Sequence, residues 1–196
     1  MFTRGAGLAR GAPLTSLADR IRQRRVPLGY VFAAAFLVFA RPTPAAIVAG
    51  ALPFAFGAAL RTWAAGHIRK REVLAVTGPY AHTRNPLYFG SFLMACGALI
   101  MGRNVWLAAA FLLIAVPIYR GVILSEEILL AKIFGDSFTA YMREVPRFFP
   151  RLRVAPHSRG GFDWGLVRQH REWHAWVGGV LLALLLLARW FWMSGP

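Results

Sequence analysis

The sequence predicts an all-α, polytopic membrane protein with about five transmembrane helices, arranged as two hairpins and a C-terminal span. Three observations support this prediction. Of the 196 residues, 57% are hydrophobic and only 16% are charged, and the mean hydropathy of +0.48 is unusual for a soluble domain. Several apolar runs approach the length of about 20 residues that crosses a bilayer. Arginines flank these runs, so the net charge of +15 indicates anionic membrane surfaces and not nucleic acid.

The predicted helices follow one another through short polar turns. The first span is short for a bilayer, so its flanking arginines would have to snorkel to the membrane surface. The 25 residues before it are basic. Within them, residues 15–25 fit either a short interfacial helix or a disordered basic tail. Paired tryptophans at both ends of the last span are typical of membrane interfaces. The five predicted spans are residues 26–40, 45–66, 86–101, 105–124 and 175–193.

The distribution of positive charge predicts the orientation. With the N-terminus inside, twenty Lys and Arg residues lie on the cytoplasmic side and three lie outside. Cytoplasmic loops of membrane proteins carry such an excess. The N-terminus is therefore expected to be cytoplasmic and the C-terminus outside, in a bacterial inner membrane. This orientation places the polar stretches before the third span and after the fourth span on the same face.

The first of these stretches, residues 77–90, combines a turn, a cation and a helix start. Gly78-Pro79 is a turn signal. Asn85 suits the N-cap of the third span, and Pro86 suits its first helical position. Arg84 is thereby held beside free backbone N–H groups, an arrangement that suits carboxylate or phosphate recognition. The alternative is an ordinary polar turn that caps a membrane helix.

The second stretch begins with two adjacent glutamates, Glu126 and Glu127, at the end of the fourth span. Carboxylates at a membrane helix end are costly to bury and need partners. Arg84 or Arg120 could supply the positive charge. Because neighbours on a helix point about 100° apart, the two glutamates are expected to have different roles. The alternative is a solvated acidic pair that counters nearby arginines.

Residues 132–150 predict a helix break followed by a second, short helix. Gly135 ends one helix, Asp136 or Ser137 caps the next, and that helix stops before Pro146. Aromatic residues here could line an apolar pocket, although each taken singly is more often a packing residue. Metal binding is not indicated, because the five His residues show no ligand spacing and the single Cys lies in an apolar run.

These two stretches resemble the isoprenylcysteine carboxyl methyltransferase / phospholipid methyltransferase superfamily, and especially its short bacterial members. The family's first motif is G-P-Y followed by R-H-P-x-Y-x-G. Residues 78–80 and 84–90 match it, with Asn85 in place of His. The second motif is a Glu-Glu pair, then F-G, a Tyr and V-P-R-F-x-P, and it is matched within residues 126–150. The resemblance covers about residues 50–152.

The resemblance implies a single membrane domain, residues 1–196, whose catalytic core spans residues 77–152. It implies methyl transfer from S-adenosylmethionine to a lipid-borne or hydrophobic acceptor, a carboxylate or an amine, at the cytoplasmic face. The Asn85 substitution argues against a proton-transfer role at that position. The residues carried over are Gly78, Tyr80, Arg84, Asn85, Tyr88 and one of the glutamates, taken as Glu126, for the cofactor, and Glu127, Arg147 and Arg84 for catalysis.

Two other functions fit parts of the pattern. The C-terminal segments of NADPH-dependent sterol reductases are similar, but those proteins have many more spans, and the adjacent glutamates resemble the methyltransferases instead. A non-catalytic scaffold or small transporter is the third candidate, and the near absence of charge at the span centres disfavours a transport path. The expected partners are the membrane and a lipid or lipid-linked substrate, with no nucleic acid. The oligomeric state stays open.

Overall fold

The computed structural model describes residues 29–69, 72–152 and 161–195, and these residues form helices and loops without a strand. The predicted interfacial helix at residues 15–25 lies outside the described residues. One 3-10 turn, Gly78–Ala81, precedes the third helix. The helices are α1 (Gly29–Phe39), α2 (Pro44–Ala65), α3 (Pro86–Gly102), α4 (Val105–Glu144), α5 (Trp164–Gln169) and α6 (Trp173–Met193).

Among the described residues, three helices are long and apolar enough to cross a membrane: α2, α4 and α6. The remaining apolar helices, α1 and α3, are shorter than 18 residues. The bounds of α2, α3 and α6 agree with the predicted spans to within two residues. The prediction of an all-α membrane protein is therefore confirmed, whereas the count of five spans stays a prediction.

Helix α4 extends beyond residue 124, where the sequence predicts the end of the fourth span. It runs from Val105 to a kink at Gly135, a length of about 45 Å, and resumes after the kink to end at Glu144. The glutamates and the Leu, Ala and Lys residues that follow are strong helix formers, and no Gly or Pro interrupts them. The helix breaks first at Gly135, whose φ of 52° and ψ of −124° are not helical. The predicted break at Gly135 and the end before Pro146 are confirmed.

Helices α2 and α3 pack antiparallel through reciprocal glycines. A Cβ added to Gly57 would lie 2.5 Å from Gly90 O, and one added to Gly90 would lie 2.7 Å from Gly57 O. Gly50 and Gly97 form the same kind of pair one heptad along. Without hydrophobic driving force between helices in lipid, such close backbone approach is a main source of association. The sequence analysis did not use the seven-residue spacing of glycines in both helices, which was the available signal for this pairing.

At the end of the bundle where α1 finishes, side chains from α6 and from the start of α4 donate hydrogen bonds to backbone carbonyl groups. Arg189 Nε donates a hydrogen bond to Ala40 O at 2.7 Å, and Asn104 Nδ2 donates to Phe39 O at 2.9 Å. Asn104 also caps α4 by accepting from Trp106 N. The buried apolar core lies next to this end and comprises Phe36, Ala40, Ile47, Met101, Leu107 and Leu186. The opposite end, where α2 finishes and α3 begins, carries the polar motifs.

Candidate active site

Two segments that are more than sixty residues apart in sequence lie side by side at the start of α3. Arg84 N donates to Pro146 O at 2.9 Å, and Arg151 N donates to His82 O at 3.0 Å. His82 Nδ1 lies 2.8 Å from Arg151 O. These bonds join the loop before α3 to the loop after α4, so the first and second sequence motifs meet.

Buried side chains add to this connection. Thr83, with only 1% of its surface exposed, donates from Oγ1 to Phe148 O at 2.9 Å. Asn85 Nδ2 donates to Arg147 O at 2.9 Å. Asn85 occupies the N-cap position of α3 as predicted, but its side chain makes no capping bond. The prediction of a capping side chain is wrong, because the amide is used to satisfy the carbonyl of Arg147 across the two segments.

Replacing Thr83 with Val should weaken the junction between the two segments. Valine has nearly the same shape, so the change removes the hydroxyl donor and leaves the Phe148 carbonyl short of one partner. We expect a loss of about 1–3 kcal/mol in the free energy of unfolding. Thermal unfolding followed by tryptophan fluorescence would measure it, with the exposed Thr139→Val as control. Equal unfolding temperatures for the two variants would contradict this assignment.

The centre of the junction is a carboxylate held between two guanidinium groups. Arg84 Nη1 lies 3.0 Å from Glu127 Oε1, and Arg147 Nη2 lies 2.9 Å from Glu127 Oε2. Arg147 Nε donates to the same carboxylate at 3.0 Å. The Glu127 side chain is 8% exposed, whereas that of Arg147 is 47% exposed. Of the two cations that the sequence offered to the glutamates, Arg84 and not Arg120 pairs with Glu127.

Arg84 carries hydrogen-bonding capacity that the described residues do not use. Its Nε and Nη1 are buried and have no aligned hydrogen-bond acceptor, although Nη1 is close to Glu127 in distance. Burial lowers the pKa of the Arg84 guanidinium from its ordinary value, and the Glu127 carboxylate opposes this effect. The group remains a cation with donors directed into the junction.

The neighbouring glutamate is placed differently, as the helical angle predicts. Glu126 is exposed, and its Oε1 accepts a hydrogen bond from Tyr88 Oη at 2.9 Å. The Tyr88 ring packs edge to face on Tyr119, with ring centroids 5.8 Å apart. Glu126 and Tyr88 therefore form a polar pair on the accessible side of the junction, whereas Glu127 lies inside it.

Tyr80 is buried beneath the junction with an unused hydroxyl group. Its side chain is 5% exposed, and Tyr80 Oη has no hydrogen-bond partner among the described residues. Tyr141 Oη fixes the segment by donating to Tyr80 O at 2.6 Å. Burial raises the pKa of the Tyr80 phenol far above its ordinary value, so the group stays a neutral donor. Gly78 begins this turn at a φ of 57°, and a Cβ there would meet the His67 ring at 2.6 Å.

A second polar cluster at this end of the bundle was missed by the sequence analysis. Arg61, near the end of α2, forms a two-point ion pair with Glu172, with distances of 2.8 and 3.0 Å. Arg61 Nη1 also donates to Ser91 Oγ in α3. The sequence analysis used Arg61 only as a topological charge. A charged residue inside an apolar helix and an acidic residue before α6 both needed partners, and this was the available signal.

A family profile and several known proteins are similar to this chain. The profile of the phospholipid methyltransferase family matches residues 45–137. The cobalt-zinc-cadmium resistance protein CzcN of Cupriavidus metallidurans is 31% identical over 166 residues, covering 81% of this chain and 75% of the relative. The nickel-cobalt-cadmium resistance protein NccN of Alcaligenes xylosoxydans xylosoxydans is 41% identical over 96 residues, covering 48% of this chain and 45% of the relative.

A methyltransferase is also among the relatives. The protein-S-isoprenylcysteine O-methyltransferase of Schizosaccharomyces pombe is 33% identical over 83 residues, covering 42% of this chain and 35% of the relative. No solved structure matches the chain. In the part of the chain that the structure describes, no three His, Cys, Asp or Glu side chains are grouped to hold a metal ion. The chain belongs to the isoprenylcysteine carboxyl methyltransferase / phospholipid methyltransferase superfamily of membrane proteins.

Proposed function

We propose that this protein transfers a methyl group from S-adenosylmethionine to a lipid-borne acceptor at the cytoplasmic face of the membrane. The observation that carries the proposal is the meeting of the two family motifs in the cluster of Arg84, Glu127 and Arg147. Both motifs lie at the end of the bundle that the charge distribution assigns to the cytoplasm. A reaction that transfers a group from a charged cofactor to a lipid needs such a polar site next to apolar helices.

The residues around the junction fit the proposed cofactor. A methionine carboxylate needs several donors, and the buried donors of Arg84 and Tyr80 lack partners among the described residues. The exposed Glu126 carboxylate, which accepts from Tyr88, would also accept hydrogen bonds from an ammonium or a ribose hydroxyl. When bound, S-adenosylmethionine would supply an electrophilic methyl group on a sulfonium. The protein's own contribution is to orient the acceptor in line and exclude water.

The placement of Glu127 favours an anionic acceptor over an amine. A general base must have a free lone pair near the proton that it removes. Both oxygens of Glu127 are within 3.0 Å of guanidinium nitrogens, so this carboxylate is occupied. Arg147 is half exposed, and part of its guanidinium faces outward. We propose that Arg147 binds a carboxylate acceptor, which needs no base because it reacts as an anion, and that Glu127 orients Arg147.

This division of roles predicts that Arg147→Gln separates cofactor binding from transfer. We expect a loss of about 100-fold in kcat/KM, because one charged hydrogen bond to the acceptor disappears, with an unchanged Kd for S-adenosylhomocysteine. The test uses protein in lipid nanodiscs, calorimetry for the Kd and radiolabelled S-adenosylmethionine with a cell lipid extract for transfer. Arg143→Gln, an exposed residue on the last turn of α4, is the matched control.

The outcomes distinguish the competing functions. If the wild-type protein binds neither S-adenosylmethionine nor its product and transfers no label, the methyltransferase proposal fails. Protection from thermal unfolding by NADPH but not by S-adenosylhomocysteine would favour the reductase. Labelled lipid in which the methyl group is on nitrogen would overturn the carboxylate assignment alone. Mass spectrometry of the labelled product identifies the methylated atom.

A further inference from the structure

An open cavity of about 340 Å³, lined by both polar and apolar side chains, lies between the end of α2, the second turn of α3 and the entry to α6. It is separate from the cluster formed by Arg84, Glu127 and Arg147, whose residues do not line it. Arg61 and Ser91 form one wall, and the chain from His170 to Ala175 forms the other. The proposed methyl transfer uses none of these groups.

The charges around this cavity leave an excess of positive charge. Arg61 and Glu172 neutralise each other through their two-point ion pair. The guanidinium of Arg171 has no ion pair in the described part of the chain. His170 and His174 each place Nδ1 within 2.9 Å of a backbone carbonyl oxygen, so Nδ1 is the donor and Nε2 of the neutral ring is an acceptor. The unpaired guanidinium of Arg171 is therefore the group that would bind an anion.

The backbone at Arg171 also marks this wall. Arg171 has a φ of 54°, and it is one of two non-glycine residues in the described chain with positive φ. A left-handed conformation costs a residue with a side chain about 1 kcal/mol or more, and such residues are enriched at ligand sites. The conformation ends α5 and turns the chain into α6, so that Arg171 and His174 line the same cavity.

The residues around the cavity indicate where its ligand comes from. Trp173 and Trp176 are 55% and 42% exposed at the start of α6, the arrangement expected of aromatic residues at a membrane interface. Met94 and Ala175 of the apolar helices line the cavity, so part of its wall is an apolar surface that an acyl chain could contact. Basic pockets between helices at this level suit the head groups of anionic lipids. We propose that this cavity binds the phosphate of an anionic membrane phospholipid, with Arg171 as its main cation.

Native mass spectrometry of the purified protein tests this proposal. We expect dioleoylphosphatidylglycerol to bind saturably and more tightly than dioleoylphosphatidylcholine, and Arg171→Asn to weaken its Kd about tenfold, the effect of losing one charged contact. Asparagine tolerates the left-handed backbone, so the turn is kept. Arg143→Gln removes an equal charge away from the cavity and should leave the Kd unchanged.

Each result decides for or against the proposal. Equal Kd values for the two lipids, or equal values for wild type and Arg171→Asn, would overturn it. Complete displacement of the lipid by inorganic phosphate at matched concentration would assign the cavity to a free anion. A parallel loss of S-adenosylhomocysteine affinity in Arg171→Asn would assign the cavity to the methyl-transfer site. Retained cofactor affinity with weakened lipid binding supports a lipid site, and the comparison of lipids on the wild type stands even if a variant does not fold.

Discussion

Replacing Glu127 with Gln should both destabilise the protein and abolish the proposed methyl transfer. The change leaves Arg84, whose side chain is only 11% exposed, without a counter-ion and removes the group that orients Arg147. Removing one partner of a buried ion pair costs about 3–5 kcal/mol, and we expect the lower end because Arg147 is half exposed. Thermal unfolding of the variant in lipid nanodiscs and transfer of radiolabel would measure the two effects.

The matched control for this variant is the neighbouring residue. Glu126→Gln removes the same charge one position earlier, but Glu126 is exposed and its carboxylate accepts a hydrogen bond from Tyr88 Oη. We expect it to change the unfolding temperature little and to weaken cofactor binding instead. If Glu126→Gln destabilises the protein as much as Glu127→Gln, the two glutamates do not have the separate roles that the geometry gives them.

A double variant distinguishes stability from catalysis at this cluster. Replacing Glu127 and Arg84 together with Met removes the buried ion pair and leaves only Arg147, whose side chain is 47% exposed and can be hydrated. Replacing buried ion pairs by apolar residues is often neutral for stability. The double variant should therefore be more stable than Glu127→Gln but equally inactive. Recovery of activity together with stability would show that the cluster is structural only.

The parts of this site that the sequence predicted are those whose signals are local. A Gly-Pro turn, an Asn-Pro helix start and an adjacent pair of glutamates each occur within a few residues, and the resemblance to a family joins them in one site. The break at Gly135 followed from these signals, whereas the partner of the glutamates was left open between Arg84 and Arg120, and the structure places Arg84 beside Glu127. The side chain of Asn85 did not, because its partner, the carbonyl of Arg147, is 62 residues away.

The parts that could not be predicted depend on which helices become neighbours. Arg61 and Glu172 are 111 residues apart, and no local pattern joins them. The sequence analysis ended the fourth span near residue 124 and the helix at Gly135, and the structure resumes α4 after a kink at Gly135 and ends it at Glu144. The backbone hydrogen bonds of a helix continue through polar residues as long as these residues favour helix. The length of a helix and the length of the part that lies in the membrane are therefore separate quantities.

The close packing of α2 on α3 positions both polar clusters. The first sequence motif runs into the start of α3, and Arg61 lies near the end of α2. Gly57→Ala should therefore have a large effect. Its added Cβ would lie 2.5 Å from Gly90 O and 2.8 Å from Met94 N, which are backbone atoms that cannot move without separating the helices. Overpacking of this kind costs about 1–3 kcal/mol, and the unfolding temperature in detergent should fall accordingly.

Gly121→Ala in α4 is the control, because the two substitutions should change stability in opposite directions. A Cβ there meets no atom within 4 Å, so the substitution only removes the flexibility of glycine in a helix. That change should stabilise the protein by about 1 kcal/mol, the opposite of the effect at Gly57. Since both variants add the same methyl group to a helix, propensity alone would raise the unfolding temperature in both. A rise for Gly57→Ala would mean that α2 and α3 do not approach through their glycines, and the Arg61 cluster and the start of α3 would lose their common support.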